Sequence, residues 1–255
     1  MTITFLGTGT SCGVPVIGCE CEVCRSTDPK DRRLRCSILV ETDTTRILVD
    51  IGPDFREQIL PQPFRRIHGI LITHAHYDHI GGMDDIRPYC QFGEVNVYAD
   101  PIARDSMMQM LPYCFAAHRY PGVPAIGLHD IHAGEPFQIG DVEIMPFQVM
   151  HGKLSILGYR FGKHFAYITD MKTINDDQLE SLNGIDTLVV NALRFDNPHH
   201  SHQLVDDAIA FARRIGAKRT LLTHMCHDIG LHAEVNKVLP NDIQLAYDGQ
   251  ILKIQ

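Results

Sequence analysis

In the segment His74-Ala75-His76-Tyr77-Asp78-His79, three histidines and an aspartate fall within six positions, directly behind the apolar run Leu71-Ile72-Thr73. Neutral imidazole is the commonest side-chain ligand for a metal ion. A strand ending in H-x-H-x-D-H can aim two imidazoles at one metal and a carboxylate with an imidazole at a second. A lone histidine in such a place is usually a packed or solvated side chain, but four ligand types at this spacing are not explained that way. Three later positions repeat the pattern of a ligand type just past an apolar run: His151 after 142–150, Asp170 after 165–169 and His224 after 220–223. Together they supply the seven side chains a two-metal centre uses. The set is imidazole and carboxylate only, which suits Zn, Mn or Fe.

A second cluster lies in Gly18-Cys19-Glu20-Cys21-Glu22-Val23-Cys24. Thiols at C-x-C-x-x-C spacing suit a redox site, a disulfide remnant, an iron–sulfur cluster or a zinc knuckle. Three thiolates are one ligand short of a closed tetrahedral zinc site. No fourth cysteine has a spacing suited to iron–sulfur, and no thioredoxin-like context surrounds the cluster. Cys12, Cys36, Cys90 and Cys114 read as buried or incidental thiols.

These side chains need a scaffold, and the chain has the means to build one. Its composition, 44% hydrophobic and 21% charged, is that of an ordinary globular protein. Short aliphatic runs bounded by Gly, Pro or Asp predict strands at 3–6, 37–40, 46–50, 69–73, 95–98, 142–149, 158–161, 165–169, 187–190, 220–223 and 244–247. Helical patterns fall at 53–60, 101–110, 175–182 and 203–215. The last places Leu204, Ala208, Phe211, Ala212 and Ile215 on one stripe. No internal repeat or long linker divides the chain, so residues 1–255 read as a single α/β domain with helices covering packed sheets.

The net charge of -8 argues against electrostatic capture of extended nucleic acid. There is no apolar run of the roughly 20 residues a membrane span needs, and the N-terminus lacks the pattern of a secretory signal. A cytoplasmic location is expected, where the eight cysteines serve as thiols or metal ligands rather than bridges.

The His74–His79 signature, followed in order by His151, Asp170 and His224, resembles the metallo-β-lactamase-fold hydrolases, over nearly the whole chain from Gly7-Thr8-Gly9-Thr10 to Tyr247-Asp248-Gly249. The resemblance implies an αββα sandwich of two mixed sheets flanked by helices, with the site at one edge of both sheets. It implies that His74, His76 and His151 hold one divalent ion and that Asp78, His79 and His224 hold a second. Asp170 and a hydroxide would bridge them. Asp170 stands where the β-lactam branch has cysteine, and His76 where the diiron flavoprotein branch has glutamate, so the resemblance points away from both.

Within the fold, the N-terminal cysteine cluster resembles the PhnP-type phosphoribosyl cyclic phosphodiesterase subgroup. That resemblance implies a structural zinc held by Cys19, Cys21, Cys24 and His227, with Cys226 the rival fourth ligand. It also implies two active-site ions, Mn or Zn, and a homodimer. The expected substrate is a small cyclic phosphodiester such as phosphoribosyl 1,2-cyclic phosphate, opened by attack of the bridging hydroxide. Asp78 and His202 are the expected catalytic residues, Asp78 orienting or deprotonating the nucleophile and His202 assisting the leaving oxygen. His200 is the rival for His202 should the register shift by two, and a plainer alternative has Ser201 of this loop capping the following helix. Two other readings compete: a tRNA 3′-processing-type endonuclease, disfavoured by the acidic balance, and a non-catalytic metal-binding module like PqqB, disfavoured by the intact histidine run.

Overall fold

The computed structural model describes residues 1–118 and 120–254. Two seven-stranded mixed sheets lie face to face. The first contains β1 (Thr2–Gly7), β2 (Ser37–Glu41), β3 (Arg46–Val49), β4 (Gly69–Leu71), β5 (Val95–Ala99) and β6 (Ile126–Asp130). The second is built from β7 (Phe137–Ile139), β8 (Val142–His151), β9 (Leu154–Phe161), β10 (Phe165–Ile168), β11 (Thr187–Asn191), β12 (Arg219–Thr223) and β13 (Ile243–Leu245). The last strand, β14 (Ile251–Lys253), returns to the first sheet, whose order is β14-β1-β2-β3-β4-β5-β6; the second runs β13-β12-β11-β10-β9-β8-β7. From β3 to β6 the pairing is parallel, as it is from β10 to β13.

The strands are apolar on both faces because both faces are covered. Successive side chains of a strand point to opposite sides. Thus Ile38 and Val40 of β2, with Ile47 and Val49 of β3, enter the layer between the sheets, where Val189 and Leu221 meet them. Leu39 and Leu48 point the other way, beneath α1 (Phe55–Ile59) and α3 (Pro101–Met110). In the second sheet Leu188, Val190 and Leu222 face a third core, closed by α4 (Val205–Ile215) and α5 (His232–Val238). This is the αββα sandwich expected from the sequence.

Helix α4 fixes the loop that carries His202. It buries Val205, Ala208, Phe211 and Ala212, ends on Gly216 in the left-handed conformation at φ 74°, and carries Asp206 and Asp207 in its first turn and Arg213 and Arg214 in its last. Both charge placements complement the helix dipole. Leu204 is its N-cap residue, and the Leu204 N–H donates to the Asp207 carboxylate at 3.1 Å, so Ser201 does not cap this helix.

Three strands escaped the sequence pattern, β6, β7 and β14, and all three are outer strands of their sheets. With one long edge unpaired they need few apolar residues, so the signal is weak. The predicted helix at 175–182 is a 3-10 helix, Asp176–Leu182. Two helices lie where the sequence pattern predicted none: the short α2 (Tyr77–Ile80), within the histidine run, and a 3-10 helix, Met83–Phe92, whose internal Pro88 obscured it.

Candidate metal centre

Four of the seven metal-binding candidates sit just beyond the C-terminal end of a strand or in its last residue, and the other three, His76, Asp78 and His79, lie at or in the short helix that follows β4. β4 leads through Thr73 to His74, β8 ends in His151, β10 leads to Asp170 and β12 to His224. The two sheets therefore bring their strand ends to one edge. Three residues there are non-glycine yet left-handed: Asp50 at φ 61°, Asp170 at φ 57° and His224 at φ 54°. Such backbone strain costs of order 1–3 kcal/mol each and persists where the surroundings over-determine it.

Two facing sets result. The ligand atoms of His74, His76 and His151 lie within 4.8 Å of one another, and so do those of Asp78, His79, Asp170 and His224. A third grouping, His151, Asp170 and His202, joins them and meets the same limit. Asp170 is the hinge: its Oδ1 lies 3.1 Å from His224 Nε2 and 3.0 Å from His202 Nε2, and its Oδ2 lies 3.2 Å from His79 Nε2. Asp78 Oδ2 is 3.2 Å from His79 Nε2. It is His202, not His200, that meets Asp170; His200 is exposed.

Outer contacts set which ring nitrogen faces inward. His79 Nδ1–H donates to Asp50 at 2.7 Å, His151 Nδ1–H to the Ser201 carbonyl at 2.9 Å, and His74 Nδ1–H to the Thr73 hydroxyl at 3.0 Å. In each case Nε2 is the nitrogen turned inward, the usual arrangement behind ligating histidines; that of His74 lies 2.9 Å from His76 Nδ1, within its own ligand set. Asp50 also accepts from the Thr73 N–H at 2.8 Å. Sequence reasoning had placed Asp50 inside a strand, although it ends an apolar run just as Asp170 does. The backbone of Gly52 touches that of α2, since a Cβ there would meet the Asp78 carbonyl at 2.1 Å.

The donor chemistry fits divalent ions. His79 Nε2 and both ring nitrogens of His224 are buried without a hydrogen bond. Burial disfavours their charge, but Asp170, Asp50 and Asp78 outweigh it and hold His79 protonated well above its usual range; Asp170 and Asp78 raise His224 to about 9. Asp170 is lowered against its own burial by His224 and His79. In the ion-free chain, protons on two imidazoles thus supply the positive charge that the carboxylates demand, a place cations take on binding. His74 is pushed well below its usual value by burial and the neighbouring His79, which keeps it in the neutral, ligating form. Burial also pushes His202 down to about 4.

The cysteine cluster closes on His227, three residues beyond His224. Cys19, Cys21, Cys24 and His227 bring their ligand atoms within 4.8 Å of one another, with Cys19 Sγ and Cys21 Sγ each 3.3 Å from His227 Nδ1. Cys226 is not in this set; its buried thiol belongs to the loop behind. The Cys24 N–H and the His227 side chain lower Cys21 to about 6, so it is ready to ligate as thiolate. Three thiols and an imidazole make a closed tetrahedral donor set suited to zinc. Of the thiols read as buried or incidental, Cys36 and Cys114 are buried, Cys90 is partly so and Cys12 is exposed.

A family model described as β-lactamase superfamily domain matches residues 45–225. A curated relative named octanoyltransferase, from Porphyromonas gingivalis, is 42% identical over 98% of this chain, which spans 51% of that protein's length. A solved structure described as a new diphosphatase from the PhnP family is 40% identical, covers 100% of this chain and 98% of its own, and superposes with a TM-score of 0.91. The zinc-bound PqqB of Methylobacterium extorquens superposes at 0.82 over 100% of both chains with 20% identity, a likeness of fold.

Proposed function

The chain belongs to the β-lactamase superfamily, as a hydrolase-fold protein related to a PhnP-family diphosphatase, and from that premise we propose that it is a metal-dependent hydrolase of small phosphate esters. The observation that carries this reading is the pair of facing ligand sets joined at Asp170, with the inward nitrogens of His74, His79 and His151 fixed from behind. His74, His76 and His151 would hold one divalent ion, and Asp78, His79 and His224 the other, with Asp170 shared. Such ions supply polarisation of the phosphoryl group and activation of water as nucleophile.

The remaining work falls to the chain's own side chains. Asp78, at 8% side-chain exposure, is the carboxylate that would orient the attacking water and take its proton. His202 would give a proton to the leaving oxygen, for which it must be charged. Burial keeps it neutral at rest, so the negative charge of a bound phosphate is what would raise it into the useful range. The Ser201 hydroxyl and His199 Nδ1, 3.2 and 3.0 Å from His202 Nδ1, would hold the ring's far side. The structural zinc would tie the N-terminal loop to the His224 segment.

The substrate reading is a small cyclic phosphodiester such as phosphoribosyl 1,2-cyclic phosphate. The diphosphatase relative favours a second one, cleavage of a phosphoanhydride by the same machinery. Acyl transfer is disfavoured, because this chain spans half of the relative named octanoyltransferase and its own thiol near the centre, Cys36, is buried and pushed up to about 12. The test is a profile of the Mn- and Zn-loaded protein against cyclic diesters, linear diesters, diphosphates, tRNA precursors and thioesters. The reading expects small cyclic diesters or diphosphates to lead, whereas a preference for tRNA precursors or for thioesters would overturn it.

A further inference from the structure

Between β11 and α4 the chain makes a loop whose neck is closed by backbone. The Leu193 N–H donates to the Gln203 carbonyl at 3.1 Å, and the Val205 N–H to the Arg194 carbonyl at 3.0 Å. Inside that neck, residues 195–202 make no backbone–backbone hydrogen bond among the described residues. Yet His202, in this stretch, is set 3.0 Å from Asp170. Side chains therefore hold the loop in shape. At its far end the His151 Nδ1–H donates to the Ser201 carbonyl at 2.9 Å. At its near end Arg194 donates through Nε to the carbonyls of Asp196 and Asn197, at 3.0 and 3.1 Å, and through Nη2 to that of Asn197 at 3.0 Å. Asn197 is left-handed at φ 60° with Pro198 next in sequence, a strained conformation that persists where such contacts over-determine it.

The remaining nitrogen of the same guanidinium reaches away from the loop. Arg194 Nη1 lies 3.5 Å from Asp228 Oδ2, and Asp228 Oδ1 lies 3.7 Å from His227 Nε2. Beside this pair the Cys226 N–H donates to the Leu193 carbonyl at 3.1 Å. Since His227 turns its Nδ1 to Cys19 and Cys21, the segment 226–228 is shared by the cysteine cluster and the loop of His202. Arginine suits such a place because its planar fork meets carbonyls on one edge and a carboxylate on another.

We propose that Arg194 is a positioning residue for His202: it ties the 195–202 loop to the segment that closes the cysteine cluster, so that filling of the cluster sets how firmly the proton donor is held. This rests on reading His202 as the acid for the leaving oxygen in a phosphate-ester hydrolase. Among the described residues, Arg194 makes no hydrogen bond with any of the seven metal-binding candidates. Its loss therefore acts on proton donation and leaves active-site metal content intact.

Substrates that differ in leaving group test it. Phosphoribosyl 1,2-cyclic phosphate releases an alkoxide that needs a proton, whereas bis(p-nitrophenyl) phosphate releases a phenolate that does not. Relative to metal-loaded wild type, Arg194→Ala should lose at least ~10-fold more kcat on the first than on the second. Arg194→Lys should recover part of that loss, and adding Arg194→Ala to His202→Ala should cost nothing further. Zinc-free Cys21→Ser should show the same selective loss. Equal losses on both substrates, additive losses in the double variant, or a wild-type ratio in zinc-free Cys21→Ser overturn the proposal. Hydrogen exchange judges it without turnover. The amides of Leu193, Val205 and Cys226, bonded across the neck, should exchange at least ~10-fold faster in Arg194→Ala at unchanged active-site metal content; exchange at the wild-type rate overturns the tie. Should Arg194→Ala fail to fold, Asp228→Asn carries the same measurements with the same outcomes. A wild type inactive on every phosphate ester overturns the functional reading, while the exchange measurement still judges the tie.

Discussion

Replacing Asp50 with asparagine keeps the side chain's size and removes acceptor capacity from a fully buried cluster. In the wild type, one carboxylate oxygen takes the Thr73 N–H at 2.8 Å, and the other takes the His79 Nδ1–H at 2.7 Å and is 2.9 Å from the Thr73 hydroxyl. An amide has one oxygen, so its NH2 must face either the His79 N–H or the Thr73 N–H. One buried donor is left unpaired, at a cost of about 1–3 kcal/mol. For a chain of 255 residues that corresponds to a fall of roughly 2–12 °C in melting temperature. The second consequence is local. Without a carboxylate behind it, His79 loses the partner that fixes Nε2 as the inward nitrogen, and such losses typically weaken metal binding about 10–100-fold. Calorimetric metal titration and thermal unfolding of Asp50→Asn read the two effects separately. Wild-type affinity together with wild-type melting temperature would refute the reasoning, since the structure offers no other acceptor for both donors.

Other expectations follow from the same contacts. His202→Ala should slow turnover of cyclic diesters by about 10²–10⁴-fold while metal content stays at the wild-type value; undiminished turnover removes the leaving-group role. Cys21→Ser, which takes one thiol from His227, should empty the zinc site and lower the melting temperature while leaving the seven active-site ligands able to bind metal. Unchanged zinc content by elemental analysis would contradict the clamp. Asp248 is pushed up to about 6 by burial, against hydrogen bonds from Leu34 and Thr8 and the charge of Arg33. A raised carboxyl pKa makes a contribution that is full below about pH 4 and lost as pH rises through 6. Wild type should therefore gain up to about 3 kcal/mol relative to Asp248→Asn between pH 7 and pH 4. Urea denaturation of both proteins across that interval checks the sign, and a difference that does not vary with pH counts against it.

Most of the centre was legible in the sequence because its ligands cluster at strand ends, where chain direction and ligand type coincide. His74 to His79 is a local signal, and His151, Asp170 and His224 each close an apolar run. What supports them was harder to read. Asp50 and Thr73 look like ordinary strand ends, and the Ser201 carbonyl that orients His151 is backbone, which no side-chain pattern reveals. The fourth member of the cysteine cluster came from the family resemblance rather than from the spacing, because His227 lies more than 200 residues from Cys19 and Cys21, and the structure brings it beside them. Central strands such as β2, β3 and β11 were plain because burial on both faces makes them uniformly apolar. The outer strands β6, β7 and β14 were not, because Gly127 and His129 dilute the first, Gln138 the second and Lys253 the three-residue third.

The most direct test counts metals and turnover on the same preparation. Purified chain reconstituted with Zn or Mn is assayed by elemental analysis and against bis(p-nitrophenyl) phosphate and phosphoribosyl 1,2-cyclic phosphate. The account predicts three ions per chain, two of them removed by chelation together with activity and the third retained by the cysteine cluster. Three bound ions with no turnover of any phosphate ester or diphosphate would contradict it, and would leave the protein a metal-binding module.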